Sequence, residues 1–87
     1  MLLTNATATT VATINADYYD GKSSRRRQVT LVVTDERVTV RGDGVEFVVP
    51  TTEVRIAPRL GGMPRRIEFP DGAAALTQDH HAVEMAF

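Results

Sequence analysis

Between Gln28 and Pro50 the chain reads QVTLVVTDERVTVRGDGVEFVVP, three β-branched runs separated by two short polar breaks. Val29, Leu31 and Val33 alternate with Thr30, Val32 and Thr34. Val38 and Val40 alternate with Arg37, Thr39 and Arg41, and Val45, Phe47 and Val49 alternate with Glu46 and Val48. Successive side chains of a strand point to opposite faces, so a period of two places each apolar set on one face of a sheet. The breaks Thr34-Asp35-Glu36-Arg37 and Arg41-Gly42-Asp43-Gly44 have turn chemistry, because Asp side chains bond nearby backbone and Gly tolerates positive φ. The pattern predicts a three-stranded antiparallel meander. Nothing in it is a reactive group.

The flanking segments extend the same architecture. Residues 1–8, rich in Thr and Ala without a period, read as a flexible lead-in, and residues 9–87 as one domain. From Thr9 to Tyr19, Val11, Ile14, Ala16 and Tyr18 suggest a first strand whose imperfect alternation points to a bulge. Asp20-Gly21 ends it. After Pro50, Thr51-Thr52-Glu53 connects to a fifth strand at Val54 and Ile56. PRLGGMP (Pro58 to Pro64) is a loop, Arg66 to Phe69 a sixth strand, and Pro70-Asp71-Gly72 a turn. Ala73 to Leu76 reads as a short seventh strand, although Ala is a poor strand former. A helix then begins at a cap supplied by Thr77 or Asp79, with Leu76, Val83 and Phe87 along one apolar stripe. The expected core is Val29, Leu31, Val33, Val38, Val40, Phe47, Val49, Val54, Ile56, Ile67 and Phe69. The expectation is a mainly β fold, a small seven-stranded antiparallel barrel or pair of orthogonal sheets with a C-terminal helix over its open end. This resembles the plan of the pleckstrin-homology-like superfold.

The totals narrow the function classes. Ten Lys and Arg against 11 Asp and Glu argue against a nucleic-acid footprint. Without cysteine there is no disulfide framework, thiolate nucleophile or thiolate-bound metal. MLLTNATATT lacks a basic n-region and has only a short apolar run, so it does not read as a secretory signal. No stretch approaches the roughly 18 apolar residues of a membrane span. A cytoplasmic location is expected.

Two segments carry a family resemblance. ADYYDGKSSRRRQVTL (Ala16 to Leu31) and VRIAPRLGGMPRRIEFPDG (Val54 to Gly72) resemble an N-terminal domain of certain bacterial proteins. There it precedes a membrane-associated zinc endopeptidase of the prenyl-protein-protease type. The matching elements are the aromatic pair before Asp20-Gly21, Ser24-Arg25, Arg59-Leu60-Gly61, Arg65-Arg66 and Phe69-Pro70-Asp71-Gly72. In that family the chemistry sits downstream on H-E-x-x-H, where two His bind zinc and the Glu is the base. This chain has no such motif. The resemblance therefore implies an accessory domain without catalysis of its own, either a piece of a longer protein or a stand-alone relative. The chain stops inside the expected helix, which points to a piece. Its partner would be its own downstream domain, another protein or an extended peptide. As part of a longer protein it would lie at the inner face of the membrane.

Several clusters remain as candidate sites. Lys22, Arg25, Arg26 and Arg27 fall between the first two strands, and Lys22-x-x-Arg25-x-Arg27 is similar to the connection that clasps inositol phosphates in many lipid-binding pleckstrin-homology domains. Converging guanidinium groups suit a phosphate or an anionic membrane surface. The alternative is a solvated hairpin tip paired with Asp17, Asp20 or Glu46. Arg59, Arg65 and Arg66 bracket the PRLGGMP loop and form a second basic rim, or else lie over apolar surface and pair with Glu53 or Glu68. An anion site requires the two groups to converge. His80 and Glu84 stand one helical turn apart with His81 about 100° away, too few ligands for zinc, so a surface or capping role is expected, with no metal and no cofactor. Ser23 and Ser24 lie far along the chain from both His, so no nucleophile–base pair is indicated, and the chain is expected not to be an enzyme. Arg41-Gly42-Asp43 is read as turn chemistry. The oligomeric state is left open.

Overall fold

The computed structural model describes residues 10–87, so the lead-in expected over residues 1–8 and the Thr9 start of the first strand lie outside the described residues. The elements are β1 (Thr10–Tyr19), β2 (Arg27–Thr34), β3 (Arg37–Gly42), β4 (Val45–Pro50), a 3₁₀ turn (Thr51–Glu53), β5 (Arg55–Ile56), β6 (Arg65–Glu68), β7 (Ala74–Thr77) and helix α1 (His80–Ala86). All strand pairs are antiparallel, and they form one sheet in the order β4-β3-β2-β1-β7-β6-β5. The fold is mainly β, seven antiparallel strands in a half-barrel with a C-terminal helix.

The curl is visible in three aromatic rings. Phe47 on β4 and Phe69 just after β6 meet edge to face with ring centroids 5.4 Å apart, and Tyr18 of β1 lies 5.7 Å from Phe47. In a flat sheet β4 and β6 would stand about 24 Å apart, five strand spacings. The sheet therefore wraps its inner face around the core but does not close. Among the described residues β4 and β5 are its edges.

Apolar periodicity sets the register of the meander. Val29, Leu31, Val33, Val38 and Val40 are all buried and face inward, while Thr30, Val32 and Thr39 face outward and are only half-buried. The Asp43-Gly44 turn joining β3 to β4 has positive φ at both residues (48° and 79°), the geometry whose twist matches a two-residue hairpin. In β1 the register shifts between Thr10 and Ala12, so Val11 is an extra residue and is exposed. Beyond it Ala12, Ile14, Ala16 and Tyr18 run inward in strict alternation. The bulge accounts for the broken alternation in the sequence.

Four expected core residues are only partly buried. Phe47, Val49, Val54 and Ile56 pack against the core but lie on or beside the two edge strands, where one flank has no neighbour. Ile14, Ala16, Tyr18, Ala73, Ala75 and Val83 complete the core. β7 forms despite its alanines because it is paired on both sides, with β1 and with β6, so tertiary pairing overrides weak strand propensity.

The helix start and stripe differ in detail from the expectation. Asp79 is the N-cap, its carboxylate accepting the Ala82 N–H at 3.0 Å. Thr77 is the last residue of β7. Its hydroxyl donates to the Asn15 carbonyl at 2.9 Å and accepts the Asp79 N–H at 3.1 Å, which fixes the angle at which the chain leaves the sheet. The packed stripe is Ala82, Val83 and Ala86 rather than Leu76, Val83 and Phe87. Leu76 belongs to the strand, and Phe87 is 38% exposed. No helix among the described residues is long and apolar enough to cross a membrane.

Candidate functional site

The connection between β1 and β2 is held by its own backbone. The Asp20 carboxylate accepts the N–H groups of Lys22 (2.8 Å) and Ser23 (3.0 Å), and the Ser23 hydroxyl accepts the Arg25 N–H at 3.3 Å. Those two N–H groups, Lys22 first and Ser23 second, hold the Asp20 carboxyl below its usual range. Gly21, at φ +82°, presses the loop against the β6–β7 turn, where a Cβ would come within 2.6 Å of the Gly72 carbonyl oxygen. Asp20 and Asp71 thus approach Tyr18, whose phenol is pushed up chiefly by burial, then by Asp71 and Asp20, with Arg27 opposing.

Among the described residues, one of the four loop cations has a side-chain partner. Arg27 Nη1 donates to the Asp43 carbonyl at 3.3 Å, linking the start of β2 to the β3–β4 hairpin tip. Lys22, Arg25 and Arg26 are exposed, and among the described residues they form no ion pair. Glu46 is taken by Arg41 at 3.4 Å, both ends exposed.

The second basic group divides three ways. Arg59 is exposed in the β5–β6 loop. Arg66 Nε donates to Glu68 at 3.0 Å on the surface of β6. Arg65 is different: its side chain is 13% exposed, Nε donates to the Ala57 carbonyl at 2.9 Å, and Nη1 stands 3.5 Å from Glu84. That Nη1 is buried without a hydrogen-bond partner, as is Nδ1 of His80 one turn before Glu84. A guanidinium beside Glu84 opposes a metal cation there, which removes the electrostatic basis for a His80–Glu84 ion site.

The register keeps the two basic groups apart. Tyr19 pairs with Ala74, and Ala74 pairs with Glu68, so the β1–β2 loop stands at the C-terminal end of β6. Arg65 pairs with Thr77 at the other end of β6, beside α1. Lys22, Arg25 and Arg26 therefore leave one end of these strands, and Arg59 and Arg65 the other. The Arg65 end carries exposed apolar side chains instead: Leu60 (68%) and Met63 (62%) on the loop, Met85 (60%) and Phe87 (38%) on and after the helix.

Sequence reasoning missed one further feature. The outer face of β1 forms the floor of a groove of about 710 Å³, lined by Asn15, Asp17, Tyr19, Gln28, Thr30 and Arg41 among others. These are the polar positions of alternating strands, which in sequence look like any solvated face. Asn15 and Thr30 bond each other at 3.3 Å across it. Its lining among the described residues carries hydrogen-bonding side chains, an acid and a guanidinium.

Residues 13–87 match the family model described as Domain of unknown function (DUF7092). No curated protein and no solved structure matches the chain.

Proposed function

The chain belongs to the DUF7092 family, and we propose that it is a non-catalytic accessory domain of pleckstrin-homology-like plan that works by protein contact. On this reading it is similar to the N-terminal domain preceding bacterial membrane-associated zinc endopeptidases. It binds its own downstream domain or a partner protein, in the cytoplasm at the inner membrane face. The supporting observation is the apolar set Leu60, Met63, Met85 and Phe87, exposed on two segments that Arg65 ties together through Ala57 and Glu84. Several side chains of this size exposed at one end of the sheet favour a contact surface over a solvated one. The test is a titration against the catalytic domain of a zinc endopeptidase that carries such a domain. Saturable binding that is lost in Leu60→Glu/Met63→Glu supports the reading. No binding, or binding unaffected by that pair, overturns it.

A second reading rests on the free cations of the β1–β2 loop. Lys22, Arg25 and Arg26 are exposed and unpaired among the described residues, on a loop whose backbone the Asp20 carboxylate holds at Lys22 and Ser23. Near an anionic membrane each is worth about 1 kcal/mol, so binding would be weak and would fade with salt. Arg27 is anchored to the hairpin and contributes less. Co-sedimentation with anionic but not neutral vesicles, lost when Lys22, Arg25 and Arg26 become Ala at unchanged melting temperature, supports this reading. No sedimentation at low salt ends it.

A further inference from the structure

The two edges of the sheet are protected unequally. Natural edge strands are kept short or carry Lys, Pro or bulges, because their unpaired amides template further pairing. β5 has two residues. β4 has six in regular alternation, no Lys, and one Pro at its end. Its single charge, Glu46, is turned toward Arg41 of the neighbouring strand. Val48 is 54% exposed on the outer face. On the inner face Val45, Phe47 and Val49 are only half-buried, whereas Val38 and Val40 on β3 are 0% exposed.

The hydrogen-bond parity of β4 can be derived. The Thr51 N–H donates to the Glu36 carbonyl at 2.9 Å, and that pair continues the β3–β4 register one step beyond Arg37 and Pro50. Opposed pairs of an antiparallel ladder alternate, so Val38–Val49, Val40–Phe47 and Gly42–Val45 are the hydrogen-bonded ones. The N–H and C=O groups of Glu46 and Val48 then point away from β3. The N–H that Pro50 lacks falls on this outer side too, where β3 does not need it.

We propose that β4 is a self-pairing edge, through which two copies of this chain join antiparallel about a two-fold axis at Phe47. In that register Glu46 lies opposite Val48 of the second copy, and all four outward amides of the two copies find carbonyls. Phe47 meets Phe47, and Val45 meets Val49, so the half-exposed inner residues gain apolar neighbours. The two Glu46 side chains lie diagonal rather than opposed, each beside its own Arg41. The same surface patch serves both copies, as a two-fold interface requires. No other occupant is matched to the edge by its own sequence in this way. The proposal is independent of the accessory-domain reading, which uses the opposite flank of the sheet.

One six-residue strand pair is a small interface, so the dimer should assemble only as concentration rises. Sedimentation equilibrium of the whole chain across a concentration series should show the mass climbing from monomer toward dimer. Val48→Lys, which puts a cation on the exposed face of the edge, should stay monomeric at every concentration with an unchanged β-sheet circular dichroism spectrum. Amide exchange supplies a second readout. The Glu46 and Val48 amides should exchange fast in dilute protein and slow at high concentration, while Phe47 and Val49 stay protected throughout. A wild type that remains monomeric overturns the proposal. So does a Val48→Lys variant that dimerises as before, protection of Glu46 and Val48 at infinite dilution, or growth past the dimer into open assemblies.

Discussion

β2, β3 and β4 are eight, six and six residues long, and their interior positions in β2 and β3 are at most 4% exposed. β5, β6 and β7 are two, four and four residues long. Burial sets the register of the long arm: shifting β2 by one residue would turn Val29, Leu31 and Val33 to solvent. The short arm has too few apolar positions for that. Its chain path is fixed instead by polar tethers: Arg65 to the Ala57 carbonyl, the Asp71 carboxylate accepting the Ala73 N–H at 3.0 Å, and the Thr77 hydroxyl on Asn15. Where strands are short, side-chain-to-backbone bonds supply the specificity that periodicity supplies elsewhere. Leu60, Met63 and the largely buried Arg65 belong to the short arm, so the surface used by the accessory-domain reading includes a part placed by polar bonds.

The largest effect should come from the core that both arms share. Leu31→Ala and Ile67→Ala each remove a side chain that is 0% exposed, one from each arm, and each should destabilise by about 2–5 kcal/mol. Because both residues belong to one cluster, urea denaturation should remain a single transition with an unchanged slope. A second transition in Ile67→Ala alone would mean that the short arm melts separately, which would turn a difference in construction into a difference in stability.

Arg65→Met tests the polar tether. It keeps the apolar stem and removes the guanidinium, losing the bond to Ala57 and the approach to Glu84, and should cost about 1.5–3 kcal/mol. Glu84 is 60% exposed, so Glu84→Gln should change stability by under about 0.5 kcal/mol. Equal effects in the two variants would show that the ion pair, and not the carbonyl bond, holds the short arm. Where the arms meet, Gly21→Ala should cost about 1–3 kcal/mol, since φ is +82° and the new Cβ would face Gly72 oxygen at 2.6 Å. Gly61, at φ +54° with nothing within 4 Å, should lose only about 1 kcal/mol on the same change. Similar losses at both sites would deny the close approach of the two arms.

The sequence exposed the long arm because its pattern is repeated. Val29 to Val49 carries period two over three strands, and the Asp43-Gly44 turn has residues suited to positive φ. The bulge at Val11 was legible as a fault in that same period. The short arm was legible in outline only. Arg65 reads in sequence as half of a basic pair with Arg66, yet one is largely buried and the other is exposed. Strand alternation puts Arg65 on the face of Ile67 and Phe69 and Arg66 on the other, but its partner Glu84 returns from the helix, a contact across distant sequence that no local period encodes. The two basic groups stand at opposite strand ends for a related reason, since the pairing order decides which strand ends adjoin. The groove over β1 was hidden because outward polar positions look alike whether the surface above them is flat or hollow.

The smallest expected effect is a matter of pH, and it lies in the loop that joins the arms. The Asp20 carboxylate accepts the N–H groups of Lys22 and Ser23, and its folded pKa lies below the ordinary 3.8. A group with a depressed folded pKa contributes stability that is fully present above its unfolded value and is lost as pH falls through the folded one. The Asp20 contribution should therefore disappear on acidification below about pH 4. Asp20→Asn keeps an oxygen that accepts the same N–H groups but carries no charge, so it should lower the melting temperature slightly at pH 7 and converge with the wild type in acid. Its acid limb, melting temperature against pH from about 5 down to 2, should be shallower than that of the wild type. Tyr18 tests the opposite sign. Its raised pKa, caused first by burial, gives stability that is present below pH 10 and lost above it, and Tyr18→Phe should flatten the alkaline limb while leaving the acid limb alone. If Asp20→Asn leaves the acid limb as steep as before, the carboxylate clamp does not hold the loop, and the Gly21–Gly72 contact alone positions Lys22, Arg25 and Arg26.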